Sequence, residues 1–540
     1  MNYHLISAQR DQMFLLPPAF DDWLPSDHLV YQVVDAVQQV DMAPFLSRYN
    51  PEGVGQAAFD PELMVALLLF GYCVGERSSR RLERLCYEHV AFRVVTGNRQ
   101  PHFTTIARFR REHEAALESV FVKVLDLCAR AGLIDLSLLA IDGTKIAANA
   151  SLSENRDEKW IDEQVRRMLA EAEATDAAED EQYGERRGDE LAGACADREE
   201  RLRKLRAAKK ELEEQQDARD LEFASRVLER KREEQALGRK KRGRKPEPLP
   251  VPEDPQVNLT DPQSRIMKER RGFMQGFNAQ AVVSTDQIVL AAGLTQDAND
   301  VQQLEPMLEL MHANLDAIET LGTVGTVLAD AGYWSEQNAT GATAQRDDVL
   351  IATRNPRKAR QAERERLASD GPQRCAATPR ERMEERLRSE AGKAAYARRG
   401  CIVEPPFGHI KEVRRGRRFM RRGFQACRSE WVIMCTAHNL CKLHRSRAAS
   451  GRNGFGLSPL RRRPVRRRRS PSTQRVRRYR FERLHESATP LRYRLPGARI
   501  QSENSTAARC NDHAFLDPVD GGGVPPRHSC CTTTAVWHPL

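Results

Sequence analysis

The chain has 540 residues, 40% hydrophobic and 30% charged, a length typical of three or four domains. Its longest apolar run, Leu63–Val74, is too short for a membrane span, and the first residues lack the pattern of a secretion signal, so no membrane association or export is expected. The 12 cysteines follow no framework spacing, which fits reduced thiols in a cytoplasm.

The formal net charge of +10 comes from one end of the chain. Residues 445–540 contain 20 arginines and only 6 acidic residues, whereas the rest of the chain is slightly acidic. Overall basicity therefore does not indicate a nucleic-acid partner, and an argument for DNA binding must depend on local patches.

Residues 1–118 are predicted to form an all-helical domain. Four segments combine a capping residue with the apolar spacing of a helix. Their predicted starts are Ser26-Asp27, Asp60-Pro61, Ser78-Ser79 and Thr104-Thr105.

The fourth of these helices is basic and follows a short turn at residues 97–103. It presents Arg108, Arg110 and Arg111, as the reading helix of a helix-turn-helix does, and these three are candidate DNA contacts. A helical bundle with solvated arginines is the alternative.

Residues 135–154 change in character, because Leu136–Ile141 is a short apolar run that ends in Asp142. This pattern predicts a buried strand with Asp142 at its C-terminal end. Residues 155–236 are rich in Glu, Arg, Ala and Leu without proline, which predicts long helices, with a hairpin broken near residues 183–193. Their charges are interpreted as a solvated face.

Residues 237–262 form a basic, proline-rich linker. Within it, Arg242-Gly243-Arg244 resembles an AT-hook, in which two arginines enter the minor groove of A·T-rich DNA. An ordinary basic linker is the alternative.

Residues 263–445 are predicted to be α/β. A strand hairpin is followed by a helix capped at Asn299-Asp300, a second buried strand that ends at Asp330, and charged, helix-prone sequence. The hairpin strands are placed at 277–283 and 287–292, the later strands at 323–328 and 348–353, and two further helices at 402–422 and 431–443.

Three carboxylates stand out in this scheme. Asp142 and Asp330 each follow an apolar strand, and Glu404 is predicted to open a helix. Carboxylate oxygens suit hard cations such as Mg²⁺, and a pair of such ions can assist phosphodiester transfer. The alternative is that both aspartates simply cap turns.

Four ordered blocks carry a family resemblance. They are Asp142-Gly-Thr-Lys145, Gly276-Phe-Asn-Ala-Gln280, Ala329-Asp-Ala-Gly-Tyr333 and Val403-Glu-Pro-Pro-Phe-Gly-His-Ile-Lys411. Their order resembles bacterial insertion-sequence transposases of the DDE type, in the branch with an InsH-like N-terminal domain and a long helical insertion after the first catalytic strand. The resemblance covers about residues 1–445.

This resemblance implies an α/β catalytic core, a ribonuclease-H-like mixed sheet with flanking helices that the helical insertion interrupts. It implies that Asp142, Asp330 and Glu404 bind two Mg²⁺ ions, for which Mn²⁺ can substitute. The implied partners are transposon-end and target DNA, with the protein acting as a homodimer on DNA in the bacterial cytoplasm, at the nucleoid. The implied reaction frees a 3′-OH at the transposon end, which then attacks target DNA.

The resemblance also implies DNA contacts close to the acidic residues. Tyr396, Arg399 and Lys411 accompany Glu404, and Lys411 shares a predicted helical face with it. Lys145 and Lys411 would hold backbone phosphates, with a solvated turn lysine as the alternative for Lys145.

Residues 446–540 differ from the rest of the chain, because they are rich in Arg, Ser, Pro and Gly and contain no lysine. We expect this tail to be disordered. Two explanations remain: translation in a foreign reading frame, or a basic tail that binds DNA non-specifically.

The sequence thus predicts a metal-dependent transposase that cuts and joins DNA. Two other functions remain possible: a non-catalytic, transposase-derived DNA-binding protein, and a metal-dependent nuclease without strand transfer.

Overall fold

The computed structural model of the protein describes ten stretches of the chain. The predicted hook arginines Arg242 and Arg244, and residues 450–540 of the predicted tail, lie outside the described residues. The described residues are 22–49, 57–183, 192–240, 245–248, 255–269, 272–319, 322–341, 346–354, 361 and 378–449. Within these ranges, none of the helices combines the length and apolar character needed to cross a bilayer.

The described residues of the N-terminal region are helical, as predicted. Helices α1 to α7 are Leu29–Val37, Ala43–Leu46, Pro61–Cys73, Ser79–Glu88, Val90–Val95, Phe103–Glu112 and Glu114–Arg130. The start of α3 is as predicted, because the Asp60 carboxylate accepts the Glu62 amide (2.9 Å) and proline occupies the first turn.

Two other predicted caps are wrong, because histidines take their place. The His28 Nδ1 accepts the Val30 amide (3.1 Å) at the start of α1. The His102 side chain accepts the Thr104 amide at the start of α6, so Thr104 lies inside the helix. An unprotonated imidazole nitrogen accepts a hydrogen bond as a serine or threonine hydroxyl does, which the capping pattern did not include.

The described residues after these helices contain eight strands. Strands β1 to β8 are Leu138–Ala147, Asn155–Asp157, Gln256–Asn258, Arg265–Glu269, Gly272–Ser284, Val289–Thr295, Thr326–Ala329 and Asp348–Ile351. β2 and β3 form a separate antiparallel pair. The other six form one mixed sheet in the order β4-β5-β1-β7-β8, and β6 pairs with β5. β1 is antiparallel to β5 and parallel to β7, and β7 is parallel to β8.

The sequence predicted that Asp142 ends its strand, but the structure places Asp142 within β1. β5 remains paired with β1 as far as Ala147, opposite Gly276, and this pairing prolongs the strand. The parallel pairing of β1 with β7 stops earlier, at Ala140 and Leu328. Asp142 therefore lies beside the point where the neighbouring strand β7 ends.

The predicted helical insertion is present as two long helices, α8 (Glu158–Tyr183) and α9 (Ala192–Leu237). Ile161 of α8 and Leu205 of α9 belong to a small apolar cluster of their own, together with Val257 of β3. This cluster is separate from the main core.

The further helices among the described residues are α10 (Leu304–Ala317), α11 (Glu336–Thr340), α12 (Pro379–Arg388), α13 (Glu390–Ala397), α14 (Arg399–Gly408) and α15 (Phe424–Ala449). α10, α14 and α15 pack against the mixed sheet, which gives the predicted α/β core with flanking helices. α15 also packs against α3 and α7, so one hydrophobic core contains Phe70 of α3, Ile141 of β1 and Trp431 of α15.

The predicted helix over residues 402–422 is wrong at both ends. α14 begins at Arg399, and a π-helical turn at His409–Val413 follows it. Arg415 then adopts a left-handed backbone conformation (φ 56°), which cannot continue a helix, and residues 414–423 are not helical.

Candidate active site

In the structure, the carboxylates of Asp142 and Asp330 both lie close to the guanidinium group of Arg399. Asp330 directly follows β7, and its Oδ1 accepts the Gly332 amide (2.8 Å). Arg399, the first residue of α14, places Nη2 2.8 Å from Asp142 Oδ2 and 3.8 Å from Asp330 Oδ2. The Nε of Arg399 is buried without a hydrogen-bond partner within the described residues. Two carboxylates thus converge on a guanidinium group that is itself incompletely bonded.

This environment makes the charged form of Asp142 unfavourable. Burial raises the pKa of Asp142 to about 6, and the nearby carboxylates of Asp330 and Asp300 act in the same direction. The Arg399 guanidinium and the Gly143 amide oppose this increase in pKa. A divalent cation would add positive charge and so favour the ionised form of Asp142.

A third carboxylate, Asp300, lies at the same site, although the sequence predicted only a helix cap there. Its side chain makes no cap hydrogen bond. Instead, Asp300 Oδ1 accepts from Asn278 Nδ2 (2.7 Å) and Gln280 Nε2 (2.6 Å). The sequence contained one signal, because Asn278 and Gln280 are polar residues on one face of a buried strand and therefore require partners.

Two glycines allow the backbone to approach Asp300. A Cβ at Gly143, next to Asp142, would lie 2.6 Å from Asp300 Oδ1 and 2.3 Å from Gln280 Nε2. A Cβ at Gly332 would lie 3.2 Å from Asp300 Oδ2. We call Asp300, Asn278 and Gln280 the Asp300 cluster. The glycines of the Asp142 and Asp330 blocks have a steric role, because any side chain at Gly143 would collide with this cluster.

Gln280 is held from two sides. Its Oε1 accepts the Tyr333 hydroxyl, and its backbone carbonyl accepts Trp431 Nε1 (3.0 Å). Burial and the charges of Asp300, Asp142 and Asp330 raise the pKa of Tyr333, so this hydroxyl stays protonated and donates. The Asp300 cluster is thereby tied to the sheet and to α15.

Glu404 is not brought to the two aspartates. It lies in the middle of α14 rather than at its start, and its side chain is exposed. Its carboxylate lies beside Gly400, one turn earlier on the same helix, where a Cβ would be 3.2 Å from Oε1. Among the residues that the structure describes, no three His, Cys, Asp or Glu side chains are grouped closely enough to hold a metal ion.

Tyr396 and Lys411, which the resemblance also implies near Glu404, have different surroundings. Tyr396 is partly buried, and its pKa is raised by burial, with smaller effects from Asp330 and Asp142. Lys411 lies on the π-helical turn, so the predicted common helical face with Glu404 is interrupted. Lys411 Nζ instead donates to the carbonyl of Lys145 in β1 (2.8 Å).

The basic helix α6 presents two of its three predicted DNA contacts. Arg108 and Arg111 are exposed. Arg110 is only 4% exposed, and its guanidinium donates to the Arg77 carbonyl (2.9 Å) and to Ser79 Oγ (2.6 Å). The prediction of a DNA contact at Arg110 is therefore wrong, because its donors are used inside the protein.

Two segments of the chain match known families. Residues 18–112 match the Transposase domain (DUF772), and residues 246–440 match the Transposase DDE domain. The second segment contains Asp330 and Glu404, whereas Asp142 precedes it. No match was found among curated proteins or among solved structures.

Proposed function

We propose that this chain, which belongs to the insertion-sequence DDE transposases, cuts DNA at the ends of its own element and joins the freed 3′-OH to target DNA. The observation that carries this proposal is the convergence of Asp142 and Asp330 on one guanidinium cation. The mixed sheet with flanking helices supports a ribonuclease-H-like core. Because an element has two ends, we also propose a homodimer on DNA, acting in the cytoplasm at the nucleoid.

The residues present suit a hard divalent cation. Asp142 and Asp330 offer oxygen ligands of the kind that Mg²⁺ and Mn²⁺ bind, at a position that already holds a positive charge. We propose Glu404 as the third ligand, which requires its side chain to turn away from Gly400. Two such cations, when bound, would supply an activated water and stabilise the leaving oxygen.

The residues of the chain itself bind and orient the substrate. Arg399 must release Asp142 when a cation binds, and its guanidinium is then available to a DNA phosphate. Asp300, held by Asn278 and Gln280, lies close to Gly143 and Gly332, which follow the two aspartates. The proposed DNA contacts are Lys145, Tyr396, Arg399, Lys411, Arg108, Arg111, Arg242 and Arg244.

A cleavage and joining assay tests this function. The full chain is incubated with DNA that carries the element's own ends, in Mg²⁺ or Mn²⁺, alongside Asp142→Asn, Asp330→Asn and Glu404→Gln variants. Glu309→Gln, on the exposed face of α10, is the matched control. We expect end nicking followed by joining in the unmodified chain and the control, with a loss of at least 100-fold in the three variants.

Other outcomes would identify the alternative functions. Nicking without joining would indicate a metal-dependent nuclease. Binding of the ends without any cleavage would indicate a non-catalytic DNA-binding protein. A truncation after Ala449, where α15 ends, determines whether the remaining residues impair the reaction.

A further inference from the structure

Ten residues between the π-helical turn and α15, Arg414–Gly423, include six arginines, and we call this segment the arginine loop. Its arginines differ in their surroundings. Arg414 is buried, and Arg421 pairs with Glu114 of α7. The other four are exposed to solvent: Arg415, Arg417, Arg418 and Arg422.

The backbone of the arginine loop is fixed to the end of β1. The Ala147 amide donates to the Arg417 carbonyl (3.1 Å), and the Phe419 amide donates to the Ala147 carbonyl (2.8 Å). Two residues further on, Asn149 Nδ2 donates to the Met420 carbonyl (3.1 Å). The loop therefore pairs with the last residues of β1, beyond the point where β7 ends.

A buried ion pair fixes the same loop from the other side. Arg77 Nη2 donates to the carbonyls of Arg415 (2.6 Å) and Arg418 (2.9 Å), while Nη1 lies 2.7 Å from Glu430 Oε1. Glu430 Oε2 accepts the Met420 amide (3.0 Å). The side chains of Arg77 and Glu430 are only 6% and 0% exposed. The loop is thus held in one conformation, which lowers the entropy lost when its side chains bind a ligand.

The exposed side chains of the loop form a positive surface. Arg415 and Arg417 have 75% and 72% of their side chains exposed. Glu76 and Glu412 partly offset these two charges, at 3.4 Å and 2.6 Å. Such exposed pairs are weak and exchange readily for a phosphate. Arg418 has no carboxylate partner within the described residues, and Arg422 donates its Nε only to the Asn149 carbonyl (3.0 Å).

The distance between the arginine loop and the Asp142–Asp330 site can be compared with the spacing of phosphates in duplex DNA. Ala147 is the fifth residue after Asp142 on β1, which corresponds to about 16 Å along an extended strand. At about 3.4 Å per base pair, this distance is about five base pairs of duplex DNA. Planar guanidinium groups on a rigid backbone are well suited to phosphate oxygens.

We propose that the arginine loop binds the phosphate backbone of duplex DNA about five base pairs from the phosphodiester at the Asp142–Asp330 site. The stated distance rests on the proposed function, whereas binding by the loop does not. The exposed arginines of the loop were not among the DNA contacts that the sequence predicted.

The test measures the salt dependence of DNA binding by the full chain. The triple variant Arg415→Gln, Arg418→Gln, Arg422→Gln is compared with Arg201→Gln, Arg206→Gln, Arg232→Gln, which removes three exposed arginines from α9. Fluorescence anisotropy with a labelled 30-base-pair duplex is recorded in EDTA over a series of KCl concentrations. The loop variant should reduce the slope of log K against log salt by about 2.7, since each lost phosphate contact contributes about 0.9. The α9 control should keep the slope of the unmodified chain.

Two results would overturn the proposal. The first is an unchanged slope in the loop variant, with thermal unfolding confirming that it is folded. The second is an equal loss of slope in Arg415→Lys, Arg418→Lys, Arg422→Lys, which retains all three charges. Because EDTA suppresses metal-dependent cleavage, a failure of the loop to bind DNA is distinguished from a failure of the aspartates to cleave it. Phosphate ethylation interference on end DNA then locates the contact, and interference confined to positions more than a full turn from the nick would refute the stated distance.

Discussion

Replacing Asp142 with asparagine should stabilise the metal-free protein while abolishing its activity. The reason is the burial of the carboxylate beside Asp330 and Asp300, which raises the pKa of Asp142 from 3.8 to about 6. Asparagine has nearly the same shape but carries no charge. Arg399 would still have Asp330 as a neighbour, at 3.8 Å, so the substitution does not leave it without a carboxylate.

The size and pH dependence of the effect follow from this shift in pKa. The native protein holds the Asp142 proton more tightly than the unfolded chain does, so the free energy of unfolding falls as the pH rises from 3.8 to about 6. A shift of about two units corresponds to about 3 kcal/mol, lost in full above pH 6. Asp142→Asn should therefore be about 3 kcal/mol more stable than the unmodified chain at pH 7.5, whereas at pH 4 the difference should be small.

Urea unfolding followed by fluorescence measures this difference at both pH values in EDTA. Glu309→Gln, on the surface of α10, is the control and should match the unmodified chain at both pH values. The measurement is then repeated in Mg²⁺. The cation should stabilise the unmodified chain by occupying the site and leave Asp142→Asn unchanged.

Lower stability of Asp142→Asn at pH 7.5 in EDTA would refute the reasoning. It would mean that Arg399 stabilises the charged form of Asp142 by more than burial destabilises it. A gain in stability that is the same at pH 4 and pH 7.5 would also contradict it, because the titration of Asp142 could not then be the cause.

Three further perturbations test other parts of the structure. Arg77→Met should lower the free energy of unfolding by about 3–5 kcal/mol in urea titrations, since it leaves Glu430 charged and buried, and adding Glu430→Gln should recover part of the loss. Asp300→Asn should weaken Mn²⁺ binding, measured by electron paramagnetic resonance without DNA, by about 10- to 100-fold, and an unchanged affinity would remove Asp300 from the site. Gly143→Ala should lower stability by about 1–3 kcal/mol and abolish end cleavage, because its Cβ would meet Gln280 Nε2 at 2.3 Å; full cleavage would show that the cluster can move.

The sequence predicted the parts of the site that depend on local pattern. An apolar run followed by Asp-Ala-Gly placed Asp330 correctly at the end of β7. The same reasoning ended β1 at Asp142, because the strand that prolongs β1, β5, is paired with it from more than 120 residues further along the chain. Long-range pairing of this kind leaves no signal in the residues next to Asp142.

Two residues that the sequence misjudged, Arg110 and Asp300, have hydrogen-bond partners at least 20 residues away in the chain. Arg110 has the spacing of an exposed residue on a basic helix. It is nevertheless buried, and its guanidinium group donates to the Arg77 carbonyl and to Ser79. Asp300 has the position of a helix cap, yet its partners are two amides on β5. In both cases, the hydrogen-bond partner determines the role, and residue type and spacing do not identify that partner.

The shared hydrophobic core limits how such a protein can change by recombination. α15 belongs to the segment matched by the DDE family, but it packs against α3 and α7 of the N-terminal region. An exchange between related elements that replaced only the N-terminal helices would set a foreign surface against α15 and leave voids in the core. Changes in α15 must therefore be matched by changes in α3 and α7, whereas α8 and α9 meet in a small apolar cluster of their own.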